Sequence, residues 1–213
     1  SNIARFIPSL PGYVYAVQDN NVYVNLFMSN TSTLDVKGKK VTIEQTTEYP
    51  WNGDIAIKVG ANKAGQWGMK VRIPGWVRNQ VVPSDLYEYS DNLRPQYSIE
   101  VNGVKVEGKL TADGYFTIDR KWKKGDVVSL HLDMEPRIVR ANHNVKADEG
   151  RIAIEKGPVV YCAEWPDNDF SVRSVIMSQK PELSVEHRSD LLYGIDMIHS
   201  DAQTIAYDEK GRL

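Results

Sequence analysis

Apolar and polar residues alternate with a period of two through one short run after another, and this pattern constrains the fold more than any other feature of the chain. In residues 21–30 (NVYVNLFMSN) Val22, Val24, Leu26 and Met28 fall on one face. In residues 39–51 Val41 and Ile43 oppose Thr42, Glu44 and Thr46. Ile55, Ile57 and Val59 align in the next run, and Met69, Val71 and Ile73 in the one after, with Lys70 and Arg72 pointing away. Successive side chains of a strand point to opposite faces, so each run offers one face to a core and one to solvent.

The sharpest local signal is YSIEVNGVKVEG, residues 97–108. Asn-Gly is a preferred two-residue hairpin turn because both positions take positive φ at low cost. The register follows: Val101 faces Val104 and Ile99 faces Val106 on the inner side, and Glu100 faces Lys105 outside. Residues 113–134 read as a second hairpin turning at Lys123-Lys124-Gly125-Asp126, with Val128, Leu130, Leu132 and Met134 inward. Residues 150–165 give two further strand-like runs broken by Gly157-Pro158, and strand character resumes after residue 190.

Short strands with turn signals between them, and no βαβ rhythm, predict an all-β fold, an antiparallel β-sandwich in two modules. The polar stretch at residues 140–150 (RANHNVKADEG) is the expected seam. The first dozen residues differ. Ile3, Ala4, Phe6, Ile7 and Leu10 approach helical spacing without an N-cap signal, and Pro11-Gly12 stops them, so they read as the last turns of a helix. The expected organisation is therefore a helix remnant at 1–12, a first sandwich at 13–140 and a second, incomplete one at 141–213.

The chain has 213 residues, a net charge of −2 and no basic run, so it has no excess of positive charge for a nucleic-acid backbone. Its apolar runs are too short to span a membrane. Cys162, the single cysteine, excludes an intrachain disulfide; it sits in VVYCAEW and reads as a buried, unactivated thiol. His131, His143, His187 and His199 have neither metal-ligand spacing nor flanking carboxylate motifs, and His131 shares the solvent face of its strand with Ser129 and Asp133. No nucleophile elbow, phosphate loop or dinucleotide fingerprint is present. The tryptophans lie beside Gly or Pro at strand ends. Trp51, Trp67, Trp76 and Trp165 could stack on sugar rings as in a carbohydrate-binding module, or, with Trp122, plug the ends of the sandwich.

Several runs together resemble glycoside hydrolase family 127, the β-L-arabinofuranosidase family: YVNLFMSNTS, TTEYPWNGDIAIKV, KVRIPGWV, GYFTIDRKWKKGDVVSLHLDMEPR, GRIAIEKGPVVYCAEWPDN and DLLYGIDMI. They are spread over nearly the whole chain. The resemblance implies an (α/α)6 barrel followed by β-sandwich domains. Asn2, Ala4 and Arg5 match the barrel helix that follows the family's Cys-Cys-Pro-Pro-Asn segment. The family's nucleophilic cysteine, its zinc ligands and its acid/base glutamate lie upstream in that barrel, and no residue here matches them.

Cys162 belongs to another segment and inherits no role, so no catalytic or metal residue is expected in this chain. Zinc is implied only for the barrel of the parent, and no cofactor for this chain. The implied partners are that barrel and, through the parent, arabinose-containing glycans, plant-type or other; a homo-oligomer is left open. The implied role is a non-catalytic C-terminal region of a retaining, zinc-dependent hydrolase. Two alternatives stand beside it: a carbohydrate-binding module and an immunoglobulin-like interaction domain. The apolar residues of the first turns, Phe6, Ile7 and Leu10, are expected to fold back on the sandwich or to meet a second copy of the chain.

The hairpin reading makes a direct prediction. Gly103→Val should lower stability by about 1 kcal/mol or more, because a β-branched residue is strained at positive φ. An unchanged denaturation midpoint would count against the turn.

Overall fold

The computed structural model describes residues 2–164, 166, 171–192 and 194–205. They form two compact units. The first takes the described residues of Ser1–Asp85 with Asn92–Met134, and the second those of Leu86–Asp91 with Glu135–Leu213. The stretch 140–150 lies within the second unit.

Unit one is a sandwich of two sheets. The four-stranded sheet runs in the order β1 (Tyr15–Gln18), β2 (Asn21–Val24), β6 (Gln66–Arg72), β10 (Tyr115–Lys121). All its pairs are antiparallel except β2–β6, which is parallel. The six-stranded sheet runs β3 (Asn30–Val36), β4 (Lys39–Thr47), β5 (Asp54–Asn62), β11 (Val127–Leu132), β8 (Tyr97–Val101), β9 (Val104–Lys105), antiparallel throughout.

The alternation in the sequence becomes rows across these sheets. Val22, Met69 and Ile118 form one, and Val24, Val71 and Phe116 the next. In the larger sheet Ile55–Leu130–Ile99 and Ile57–Val128–Val101 face inward, and all six side chains are buried. Burying a side chain of this size contributes about 1.5–3 kcal/mol. Gln45 extends the second row as a polar exception. Its Nε2 donates to the Tyr15 hydroxyl at 2.9 Å and to the Leu26 carbonyl at 3.3 Å.

Four expectations are revised. The alternation starting at Val22 ends at Val24: Asn25 donates its amide to Val14 O and the chain leaves the sheet, so Phe27 is buried and Met28 exposed. Asn102 and Gly103 take φ of 53° and 76°, and the expected register pairs Val101 with Val104 and Glu100 with Lys105. Yet Val104 is 68% exposed while Val101 is buried, because β9 is the outermost of six strands and four cannot cover them all.

Residues 113–134 are not a hairpin. β10 pairs with β6 in one sheet and β11 with β5 and β8 in the other, so the turn at 123–126 carries the chain across the sandwich. A period-two pattern with a turn between its halves is the same for a hairpin and for such a crossing. Lastly, residues 2–9 form a short helix, Asn2–Phe6, and a 3₁₀ turn, Ile7–Ser9, with no buried side chain, so they do not fold back on the sandwich.

Two crossings are fastened together by Asn62, the last residue of β5. Its Nδ2 donates to the carbonyls of Gly65 (3.0 Å) and Trp122 (2.8 Å), and its Oδ1 accepts from the amides of Ala64 and Gly65 and from Trp67 Nε1. Trp122 Nε1 donates to Trp67 O at 2.9 Å, and the two indoles stand 5.3 Å apart.

Unit two contains the sheet β14 (Val159–Tyr161), β13 (Ile152–Lys156), β12 (Pro136–Ala141), β7 (Tyr87–Tyr89) and two strand pairs: β15 (Val175–Ile176) with β18 (Gln203–Thr204), and β16 (Ser184–Arg188) with β17 (Ile195–His199). The Gly157-Pro158 turn joins β13 to β14, as expected. Strand β7 reaches this sheet from the middle of unit one's sequence. Arg137, on β12 and fully buried, pairs through its guanidinium with Asp91 at 2.7 Å and lies 3.4 Å from the Tyr89 ring centroid, while the Tyr89 hydroxyl donates to Glu155 Oε2. Among the described residues no helix is long and apolar enough to cross a membrane.

Asn62→Ala removes five hydrogen bonds at once and leaves the Trp67 indole and Trp122 carbonyl to find other partners. It should cost about 2 kcal/mol or more of unfolding free energy, measured by denaturant titration. A loss below about 0.5 kcal/mol would show that the crossings hold without it.

Candidate functional site

The tryptophans sort by burial. Trp67, Trp76 and Trp122 belong to the core, and their indole N–H groups are spent on Asn62, the Tyr49 hydroxyl and the Trp67 carbonyl. Neither Trp67 nor Trp76 therefore offers a ring face to a sugar, and both plug the sandwich. The alternation placed Trp67 on the inner face all along; proximity to Gly and Pro was the weaker signal. Of the expected set's described members, Trp51 alone is on the surface, 48% exposed on the turn between β4 and β5. Gly53 seats that turn: a Cβ there would run into the Leu132 carbonyl oxygen. Trp165 lies outside the described residues.

Cys162 is exposed rather than buried, because β14 ends at Tyr161. Its Sγ faces Glu164 Oε1 at 3.9 Å, a carboxylate that cannot stabilise a thiolate. In unit two several titratable groups hold strands together. Burial pushes the Glu155 carboxyl upward, only partly offset by Tyr89 and Arg137. Burial also works against the Asp196 carboxylate, but hydrogen bonds from Lys156 and His187 hold it below its ordinary value. Lys156–Asp196–His187 ties the β16–β17 hairpin to β13.

The most site-like feature is on the outer face of unit one's six-stranded sheet. A recess of about 350 Å³ is lined by Thr46, Asp54, Ala56, Ser98, Glu100, Ser129 and His131, above the backbone of Ile55 and Leu130. The register that builds the core rows also builds this one. Thr46–Ala56–Ser129–Glu100 lie side by side across four strands, and Asp54–His131–Ser98 form the adjacent row. Small side chains at the centre and larger ones at the rim make the hollow. His131 is held at both ring nitrogens, by Asp54 Oδ1 at 2.6 Å on Nδ1 and by Asp133 Oδ1 at 3.4 Å on Nε2. The sequence placed His131, Ser129 and Asp133 on one solvent face. It had no means of bringing Asp54 and Glu100, 77 and 29 positions away from residues 131 and 129, beside them.

Among the described residues no three His, Cys, Asp or Glu side chains converge as a metal site. The donor set here does not fit the zinc implied for the parent, and no chemical step is derived through a metal in this chain.

The hydrogen bond that the His131 imidazolium gives to Asp54 raises its pKa above 6.5; burial opposes the rise, and the charges of Asp54 and Asp133 add to it. The imidazolium's contribution to stability is therefore complete below 6.5 and is lost as pH rises through the higher folded value. NMR titration should find His131 above 6.5, and Asp54→Asn should return it toward that value. An unmoved midpoint in Asp54→Asn would refute the pairing.

Comparison with known proteins is consistent across sequence and structure. The family description "Beta-L-arabinofuranosidase, GH127 middle domain" matches residues 21–134, and "Glycoside hydrolase family 127 C-terminal domain" matches residues 136–207, so the two ranges part at the Met134–Glu135 boundary of the units, with Leu86–Asp91 of unit two lying inside the first range. A non-reducing end β-L-arabinofuranosidase of Bifidobacterium longum subsp. longum is 30% identical across 98% of this chain. A solved GH127 β-arabinofuranosidase is 56% identical with a TM-score of 0.93 over 99% of the chain. A GH127 β-L-arabinofuranosidase from Geobacillus stearothermophilus T6 is 30% identical with a TM-score of 0.82 over 97% of the chain. The chain spans 30%, 33% and 30% of the length of these three proteins, respectively. Matched by both domain descriptions and by these structures along nearly its whole length, the chain belongs to glycoside hydrolase family 127.

Proposed function

We propose that these 213 residues are the non-catalytic β-sandwich region of a larger hydrolase that cleaves β-L-arabinofuranosides. The observation that carries this is the coverage. The chain accounts for about a third of each relative and matches their middle and C-terminal domain descriptions only. The retaining, zinc-dependent chemistry implied by the family resemblance belongs, in this reading, to the remainder of the parent.

The described residues support a scaffolding role. Arg137, Asp91, Glu155, Lys156 and Asp196 hold strands of unit two together, and Trp67, Trp76 and Trp122 close the core of unit one. The apolar side chains left on the surface at Ile3, Phe6 and Ile7 suit packing against a barrel domain of the parent. Trp67 and Trp76 are buried and drop out of any tryptophan platform for sugar.

The test is an activity assay of the purified chain on an aryl β-L-arabinofuranoside with added zinc. The expected rate is that of the blank. Turnover above the blank would overturn the reading, and Cys162→Ala would then tell whether the exposed thiol is the nucleophile.

A further inference from the structure

The outer-face recess of unit one has the properties of a small-ligand site. Its volume of about 350 Å³ falls at the lower end of the range of ligand pockets, roughly 300–1,000 Å³. With strands about 4.8 Å apart and side chains of one face about 7 Å apart along a strand, the floor measures roughly 14 by 7 Å.

The lining is polar, as the solvated face of a sheet is, but its polar groups differ in how they are engaged. The hydroxyls of Thr46, Ser98 and Ser129 and the carboxylate of Glu100 converge on the recess, and none of the four has a hydrogen-bond or ion-pair partner among the described residues. By contrast the neighbouring Glu44 is paired with Lys58, and His131 is held by Asp54 and Asp133. The rim is thus held by protein partners, while the polar groups of the floor are open to solvent and to a ligand. The Ala56 methyl adds a small apolar patch between the polar groups.

The chemistry of the lining selects the ligand class. Hydroxyls both donate and accept, and carboxylates accept, so a partner rich in hydroxyl groups can satisfy every open position. Asp54 and Glu100 line the recess with Asp133 beside them, Lys105 stands across from Glu100 at its edge, and the one imidazole has both nitrogens occupied, so a neutral ligand is favoured over phosphates and uronates. The floor carries no ring on which a base could stack.

We propose that this recess binds one unit of a neutral, hydroxyl-rich glycan. The inference rests on the reading of the parent as an arabinofuranosidase only for the choice of sugar. Thr46, Ser98, Ser129 and Glu100 make the hydrogen bonds, and His131 with its two aspartates fixes one wall.

The experiment is an amide NMR titration of the 213-residue chain with neutral arabino-oligosaccharides, with oligogalacturonides as the anionic counterpart. Shifts should map to residues 54–56, 98–100 and 129–131 and saturate with the neutral sugar only. Ser129→Tyr fills the hollow at an exposed strand position that tolerates aromatics, and should weaken binding at least tenfold while the rest of the spectrum is unchanged. Glu100→Ala removes an open acceptor without adding bulk and should weaken it several-fold.

The proposal falls if the neutral sugar shifts none of these amides at millimolar concentration, if Ser129→Tyr binds as well as the original, or if oligogalacturonides bind equally. Because binding is read without hydrolysis, failure here leaves the activity test standing, and turnover in that test leaves this one standing.

Discussion

The sandwich of unit one depends on how its chain changes sheets, and that is decided at one side chain. Asn62 ends β5 just before the chain passes to β6 in the opposite sheet, and Trp122 follows β10 just before the chain returns to β11. Two irregular backbone segments at the same place would leave polar groups without ladder partners, and buried unpaired groups cost about 1–3 kcal/mol each. Asn62 supplies the missing donors and acceptors to both segments, and the Trp67–Trp122 pair fills the volume beneath them. The tryptophans that look like a sugar platform in the sequence are in this sense the packing counterpart of an asparagine.

Asp126 does related work at the same turn. Its Oδ1 accepts from Asn102 Nδ2 and its Oδ2 from the Lys123 amide, while Asn102 Oδ1 accepts from the Val127 amide. The Asn-Gly hairpin is thereby tied to the crossing between sheets. Although burial raises a carboxyl pKa, the hydrogen bonds from Asn102 and Lys123, with Arg120 nearby, hold Asp126 below its ordinary range. A side chain chosen for turn geometry thus also anchors a neighbouring strand, and local propensity and tertiary packing agree. Unit two solves a different problem. Its strand β7 arrives from within the sequence of unit one, and the buried Arg137, bonded to Asp91 and stacked on Tyr89, fastens it to β12.

For function, the consequence is a division of faces. The inner faces and the unit-two ion pairs are committed to stability, which fits membership of a hydrolase family whose relatives are about three times as long. The outer face of the six-stranded sheet is the exception. There, one register that stacks Ile57–Val128–Val101 inward sets Ala56–Ser129–Glu100 outward, so the polar recess comes from the same alignment as the core.

The sequence by itself determined the strands, because alternation of apolar and polar residues reports which face of a strand is buried without reference to any partner. It determined the Asn102-Gly103 turn, because the φ preference is local, and it carried the family resemblance. Only the tertiary structure decided that β10 and β11 part into different sheets, that Val104 is left bare at an edge, that Trp76 is core rather than surface, and that Cys162 is exposed. Each of these turns on which strand lies beside which, and pairing between residues tens of positions apart leaves no periodic trace in the chain. The recess was hidden for the same reason. Its residues come from four strands, and only the cross-strand register, set by burial on the opposite face, brings them together.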